Sequence, residues 1–184
     1  MFFLNPFALA AAGGDFESIA TVTVGSGGAS SIEFTSIGTG WQHLQLRFIA
    51  RTAYSAAEDL INIKVNTDTG SNYAYHALFG NGSSASANNF TSQTVAYAQR
   101  ATATSATSSV FGAGVLDILD YASTSKNKTF RGLGGWDNNG SGTIYVYSNL
   151  WMSTAAITAL TLTSYQSSNF SQHSTFALYG VKAP

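Results

Sequence analysis

Hydrophobic and polar residues alternate along most of the chain. In His43–Ala50, for example, Leu44, Leu46 and Phe48 fall on one face and polar residues fall on the other. Alternation with a period of two is typical of a strand that is buried on one side. The same pattern predicts strands over residues 19–24, 31–36, 61–65, 110–119, 128–133, 143–150, 157–163 and 174–181, with weaker candidates at 72–79 and 92–98.

Nine or ten short strands separated by Gly, Asn, Ser and Thr turns, without an amphipathic helix, indicate an all-β protein. We expect an antiparallel β-sandwich of jelly-roll type, with at most one helical turn over residues 54–59. The chain is long enough for one domain, which we place at residues 15–184. The low complexity of residues 81–108 predicts a long exposed excursion from this sandwich.

Residues 1–14, MFFLNPFALAAAGG, contain no charge and precede the first predicted strand. They are too short to cross a membrane, and they lack the positive start of a signal peptide. Secretion stays open as an alternative, because the small residues imitate a cleavage site. We interpret the segment as a short N-terminal arm that docks into a neighbouring protein through its large apolar side chains: Phe2, Phe3, Leu4, Phe7 and Leu9.

Charged residues make up 9% of the chain, and the formal net charge is −1. Nucleic-acid binding requires clustered Lys and Arg, which this composition does not supply. There is no cysteine, so disulfides and thiolate metal sites are excluded. The histidines at 43, 76 and 173 lack metal-ligand spacing, and we expect neither a metal nor a cofactor.

Asp117 and Asp120 are the most interesting carboxylates, but three residues apart on a strand they point to opposite faces. They are therefore a poor acid–base pair, and we predict a protein that is not an enzyme. We expect Asp117 or Asp120 to form a structural ion pair with an arginine, and the candidates are Arg47, Arg51 and Arg131.

The stretch WDNNGSG contains Asn139-Gly140 between two predicted strands, which is a hairpin signal. A calcium loop is the weaker alternative, because the flanking helices and the final Glu of an EF-hand are missing. Aromatic rings beside small polar residues suit the binding of sugars, whereas packing in the core is the alternative role. The residues that we single out for contact with a glycan or receptor are Phe90, Trp136, Asp137 and Asn138.

Five segments occur in an order that resembles a known family: ESIATVTVGSGGASSIEFTSI, HLQLRFIART, VNTDTGSNYAYHALFGNGS, VLDILDYASTSKNKTFRGLGGWDNNGSG and FALYGVKAP. The chain resembles small virion proteins of tailed bacteriophages, especially marine and aquatic ones, over residues 15–184. The most specific segments are DTGSNY, DILDYA, DNNGSG and ALYG. The resemblance implies a structural component of the extracellular phage particle, frequently a homotrimer, and brings no catalytic residues.

Three functions follow from these observations. The first is a tail-fibre or receptor-binding module that recognises the host and docks on other virion proteins through its arm. The second is a decoration protein that strengthens the phage head. The third is a carbohydrate-binding module, free or as part of a tail tip.

Overall fold

The computed structural model describes residues 14–182, which form twelve strands and no helix. The strands are β1 (Phe16–Thr23), β2 (Ser31–Phe34), β3 (His43–Ala50), β4 (Glu58–Val65), β5 (Tyr73–Gly80), β6 (Ala85–Gln93), β7 (Ala96–Thr102), β8 (Gly112–Ile118), β9 (Lys128–Asp137), β10 (Gly142–Trp151), β11 (Leu160–Ser164) and β12 (Thr175–Val181). In this part of the chain, no helix is long and apolar enough to span a membrane.

The strands form two antiparallel sheets of unequal width. The larger sheet has the order β1-β12-β3-β8-β9-β10-β5-β6, and the smaller has the order β2-β11-β4-β7. The chain passes from one sheet to the other after β1, β2, β3, β4, β6, β7, β10 and β11, as in a jelly roll. Relative to an eight-stranded jelly roll, the hairpin β8–β9 is inserted between β3 and β10, and β12 and β1 extend the edge beside β3. The prediction of an antiparallel sandwich is confirmed.

The core lies between the two sheets and is built from alternate residues of facing strands. In β3, Leu44, Leu46 and Phe48 are buried, as the alternation predicts. They meet Ile61 and Ile63 of β4 in one apolar cluster, and β8, β11 and β12 contribute further residues to it. The hairpin expected at Asn139-Gly140 joins β9 to β10, and both turn residues have a positive φ.

The excursion expected over residues 81–108 is wrong, although residues 81–92 are exposed as expected. Residues 85–93 form β6, which is an exposed edge strand, and residues 96–102 form β7, which is almost wholly buried. The alanines of β7 look like low complexity in the sequence, but they are small because this strand lies close against the larger sheet. These strands raise the total above the nine or ten expected.

Glycines on the larger sheet allow this close approach. A Cβ atom on Gly132 would lie 2.9 Å from the Ala98 carbonyl oxygen, and one on Gly112 would lie 2.9 Å from the Ala101 Cα. Contacts of that length are not tolerated, so β8 and β9 can support β7 only without side chains there. Strand β7 thus crosses the larger sheet where the smaller one ends, and the inner face of β10, β5 and β6 continues beyond it.

Candidate ligand-binding cleft

A cleft of about 410 Å³ opens where the larger sheet extends beyond β7. Strands β5, β6 and β10 form one wall, and β4, β7 and the segment after β11 form the other. The cleft is lined by aromatic, amide and charged side chains: Tyr54, Tyr75, Phe90, Tyr97, Tyr147, Tyr165, Asn88, Gln93, Gln166, Glu58, Asp59 and Arg100. A concave site with aromatic walls and a few convergent polar groups is the usual form of a small-ligand site.

The aromatic rings form one contiguous array around Tyr75. The Tyr75 ring centroid lies 5.4 Å from Phe90, 4.6 Å from Tyr97 and 5.9 Å from Tyr147. Tyr97 in turn meets Tyr165 at 6.3 Å with nearly perpendicular ring planes. Each ring therefore holds its neighbour in place, while Phe90 keeps 49% of its surface exposed.

Charge enters the cleft through an ion pair between Glu58 and Arg100, whose Oε1 and Nη1 atoms lie 2.5 Å apart. The Trp136 indole N–H donates to the other Glu58 oxygen, also at 2.5 Å. The Arg100 guanidinium lies over the Tyr145 ring, 4.8 Å from its centroid. Burial lowers the pKa of Arg100, but Glu58, Tyr147 and Tyr145 outweigh it and leave this pKa raised, so the cation persists.

The hydroxyls of Tyr75, Tyr97 and Tyr147 stay protonated. Burial raises the pKa of Tyr75 to about 12, and burial also raises the pKa of Tyr97 and, more strongly, that of Tyr147. Neutral hydroxyls both donate and accept hydrogen bonds. The cleft therefore offers flat apolar ring faces together with neutral polar groups.

Both carboxylates of the cleft are already occupied by protein donors. The Glu58 oxygens accept from Arg100 and Trp136, as described above. Asp59 accepts from the Leu60 N–H at 2.8 Å and from the Ser164 hydroxyl at 2.5 Å. Because the side-chain donors lie on β7, β9 and β11, the two carboxylates link β4 to its neighbouring strands and to the larger sheet.

Strand β7 is fixed to the larger sheet by a buried amide that the sequence analysis did not single out. The Asn149 side chain accepts from the Tyr97 N–H and donates to the Tyr97 carbonyl, both at 3.0 Å. Gln99 adds a hydrogen bond from its Nε2 to the Tyr145 carbonyl at 3.0 Å. The signal was present in β10, where Asn149 is an inward-facing polar residue between Tyr147 and Trp151.

The residues predicted to contact a glycan separate in the structure. Phe90 lines the cleft, and Trp136 lies behind it and binds Glu58. Asp137 is exposed at the end of β9, and the Asn138 side chain accepts from the Thr107 N–H at 2.6 Å. Of these four residues, Phe90 and Trp136 are thus connected to the cleft, whereas Asp137 and Asn138 are not.

The expected ion pairs of Arg47 are not formed. Arg47 donates to Gln45 at 2.6 Å and lies over the rings of Phe16 and Tyr179. Asp117 accepts from Gln45 at 2.7 Å.

Asp120 does form an ion pair, but with Lys126 at 2.6 Å. Arg131 stands directly opposite Asp117 in the pairing of β8 with β9, without an ion pair between them. The sequence could not indicate these partners because aromatic rings and an amide compete for the same polar groups on the sheet surface.

Two further expectations concern the arm and metals. The docking residues of the arm, from Phe2 to Leu9, lie outside the described residues. Within residues 14–182, no three His, Asp or Glu side chains come together as a metal site would need.

Comparison of the chain with protein-family models, with curated proteins and with solved structures finds no match.

Proposed function

We propose that the chain is a carbohydrate-recognition module of a phage virion, which binds a host-surface glycan in the cleft between β6 and β7. The observation that supports this proposal is the array of rings around Tyr75, flanked by amides and by the Glu58–Arg100 pair. The virion context rests on the sequence resemblance described above. In this proposal the arm attaches the module to the particle.

The chemistry of the walls favours a sugar as the ligand. The C–H face of a pyranose ring is apolar and packs on an aromatic ring, while its hydroxyls need donors and acceptors at the rim. Phe90 and Tyr75 offer the ring faces, and Asn88, Gln93 and Gln166 offer amides. A purely apolar ligand would leave these amides without partners, at a cost of about 1–3 kcal/mol for each buried group.

Binding without turnover fits the cleft better than hydrolysis does. A glycosidase needs one carboxyl group that donates a proton and a second that attacks or activates water. Both cleft carboxylates instead accept from fixed protein donors. The proposal is therefore of a lectin-like module.

The direct test is a glycan array with the full chain, followed by calorimetry on the best ligand. Phe90→Ala should weaken binding about tenfold or more and leave the melting temperature unchanged, because half of the ring is exposed. Phe16→Ala is the matched control, since Phe16 is an exposed ring on the far face of the larger sheet. Equal losses of affinity in both variants, or an array without any bound glycan, would contradict the proposal.

The virion context needs a separate measurement. A map of the intact particle with labelled protein should show the module at the tail, and Phe90→Ala should reduce adsorption to the host. If the protein instead decorates the head, adsorption should be unchanged by Phe90→Ala, and removing the protein should lower the resistance of the capsid to heat. The outcome of the glycan array does not depend on whether the protein lies on the tail or on the head.

A further inference from the structure

The outer face of the larger sheet carries an exposed apolar ridge. The ridge consists of four residues that are direct neighbours across β8, β9, β10 and β5: Val115, Leu133, Val146 and Leu78. Their exposed fractions run from 36% to 56%. A contiguous apolar row of this kind marks an interaction surface.

A groove runs beside the ridge, two residues further along each strand. Its row on the same four strands is Ala113, Gly135, Ile144 and Gly80, in which only Ile144 has a large side chain. The volume of the groove is about 710 Å³, and half of the residues that line it belong to β9 and β10. Thus a row of large residues stands next to a row of mostly small ones.

In strand β9, one charged residue lies on each side of the ridge and groove. Arg131 is exposed two residues before the ridge residue Leu133, and Asp137 is exposed two residues after the groove residue Gly135. Strand β9 therefore presents the outward series of a cation, a large apolar residue, a glycine and an anion.

We propose that this face binds a second copy of the same chain. A two-fold axis that lies between ridge and groove, parallel to both, places the ridge of each copy in the groove of the other. Leu133 then sits over the partner's Gly135, Leu78 over the partner's Gly80, and Val115 over the partner's Ala113. Val146 meets the partner's Ile144, so at this one position two large apolar side chains pack against each other. The same rotation sets Arg131 opposite the partner's Asp137.

The contact is isologous, because each residue that touches a partner position is touched in return by its counterpart. Facing sheets pack about 10 Å apart with strands nearly aligned, which the proposed axis provides. An arm inserted in the groove would leave the ridge uncovered, whereas a second copy covers both.

The outer face of the larger sheet as a whole is large enough for a stable dimer. Its eight strands, about 4.8 Å apart, and four rows, about 6.7 Å apart, span roughly 700 Å² of sheet, and the ridge and groove occupy four of these strands. A standard protein–protein interface covers about 800 Å² on each partner. The cleft opens between the sheets on the inner side, so a dimer presents two clefts to ligand and keeps both accessible.

The experiment measures the mass of the full chain by analytical ultracentrifugation across micromolar concentrations. The wild type should have twice the chain mass of 19.3 kDa. Leu133→Glu should weaken the dimer at least a hundredfold, because it places two carboxylates in the apolar contact. Met152→Glu is the matched control, since Met152 is 45% exposed but lies beyond the end of β10.

A second set of variants tests the fit of ridge and groove. Gly80 has room for a side chain within its own copy, because the nearest atom to a Cβ there is the Ser84 carbonyl oxygen at 3.5 Å. Gly80→Leu should weaken the dimer at least tenfold, and Leu78→Ala should weaken it less. The exchange variant Leu78→Ala/Gly80→Leu should regain most of the affinity, since the large and small positions are merely interchanged.

A monomeric wild type would overturn the proposal. So would a dimer or trimer that Leu133→Glu and Gly80→Leu leave intact, because that result would place the contact elsewhere, for example in the arm. Melting curves of every variant separate loss of association from loss of folding. If Leu133→Glu unfolds the chain, the proposal is tested by comparing Gly80→Leu with the exchange variant Leu78→Ala/Gly80→Leu.

Discussion

Glu58 joins two parts of the cleft that are distant in the sequence. It pairs with Arg100 of β7 and accepts from the Trp136 indole at the end of β9. Its side chain is only 25% exposed, so the pair is partly desolvated. Losing one member of such a pair leaves the other without its partner in a poorly solvated position.

Glu58→Ala should therefore destabilise the fold by about 1–3 kcal/mol, the cost of leaving a partly buried hydrogen-bonding group unmatched. Urea unfolding measures this change. Glu33→Ala is the control, because Glu33 is exposed on β2 and, among residues 14–182, its side chain accepts a hydrogen bond only from the Ser31 hydroxyl. Similar unfolding midpoints for the two variants would show that the Glu58 contacts add nothing to stability.

Asp68 makes stability depend on acid pH. Its carboxylate accepts from the Trp151 indole at 2.7 Å, from Asn72 at 3.0 Å and from the Gly70 N–H at 2.8 Å, and these bonds lower its pKa. A carboxyl group with a lowered folded pKa stabilises the protein above its ordinary value of about 4. This contribution is lost as the pH falls through the lowered folded pKa.

We expect the wild type to lose more stability between pH 6 and pH 3 than Asp68→Asn does. Unfolding free energies at a series of pH values provide the measurement, with Glu33→Gln as an exposed control. Parallel pH profiles for the wild type and Asp68→Asn would contradict this role.

At the scale of elements, β7 depends on one buried side chain. Asn149 provides both a donor and an acceptor to the Tyr97 backbone, on the side of β7 that has no neighbouring strand. Asn149→Ala should leave two buried backbone groups unpaired and destabilise the fold by about 2–5 kcal/mol. Asn89→Ala, at an exposed position of β6, should change stability by less than about 0.5 kcal/mol. Thermal and urea unfolding compare the two, and a small effect at Asn149 would mean that β7 is held by packing alone.

The elements also show what the sequence could predict. Strand β3 followed from strict alternation, because one of its faces is buried and the other is exposed. Strand β7 did not, because its small buried residues reflect a close approach to glycines on strands that follow it in the chain. For the cleft, the sequence indicated Phe90 and the adjoining Trp136. It did not indicate Tyr75, Tyr97 and Tyr147, because these residues meet through a strand order that no local pattern encodes.

At the scale of the whole molecule, the arm and the sandwich should be separable. Strand β1 begins at Phe16, and the Asp15 carbonyl accepts from the Lys182 N–H at 2.9 Å. Deleting residues 1–14 therefore spares the described hydrogen bonds of the sheet. The truncated chain should melt within a few degrees of the wild type and fail to join the particle. Incorporation at the wild-type level would contradict the docking role of the arm.

The pairing of β1 with β12 has a consequence for the order of events in the cell. Within the described residues β1 has no other neighbour in its sheet, so it cannot dock until a strand about 150 residues later has left the ribosome. Pairing across such a separation is slow, because the loop entropy is lost before the contacts form. Strand β1, which connects the N-terminal segment to the sandwich, is therefore held in the sheet only after β12 has been synthesised. Incomplete chains lack that anchor, so under the proposed virion role we expect them to be excluded from the particle.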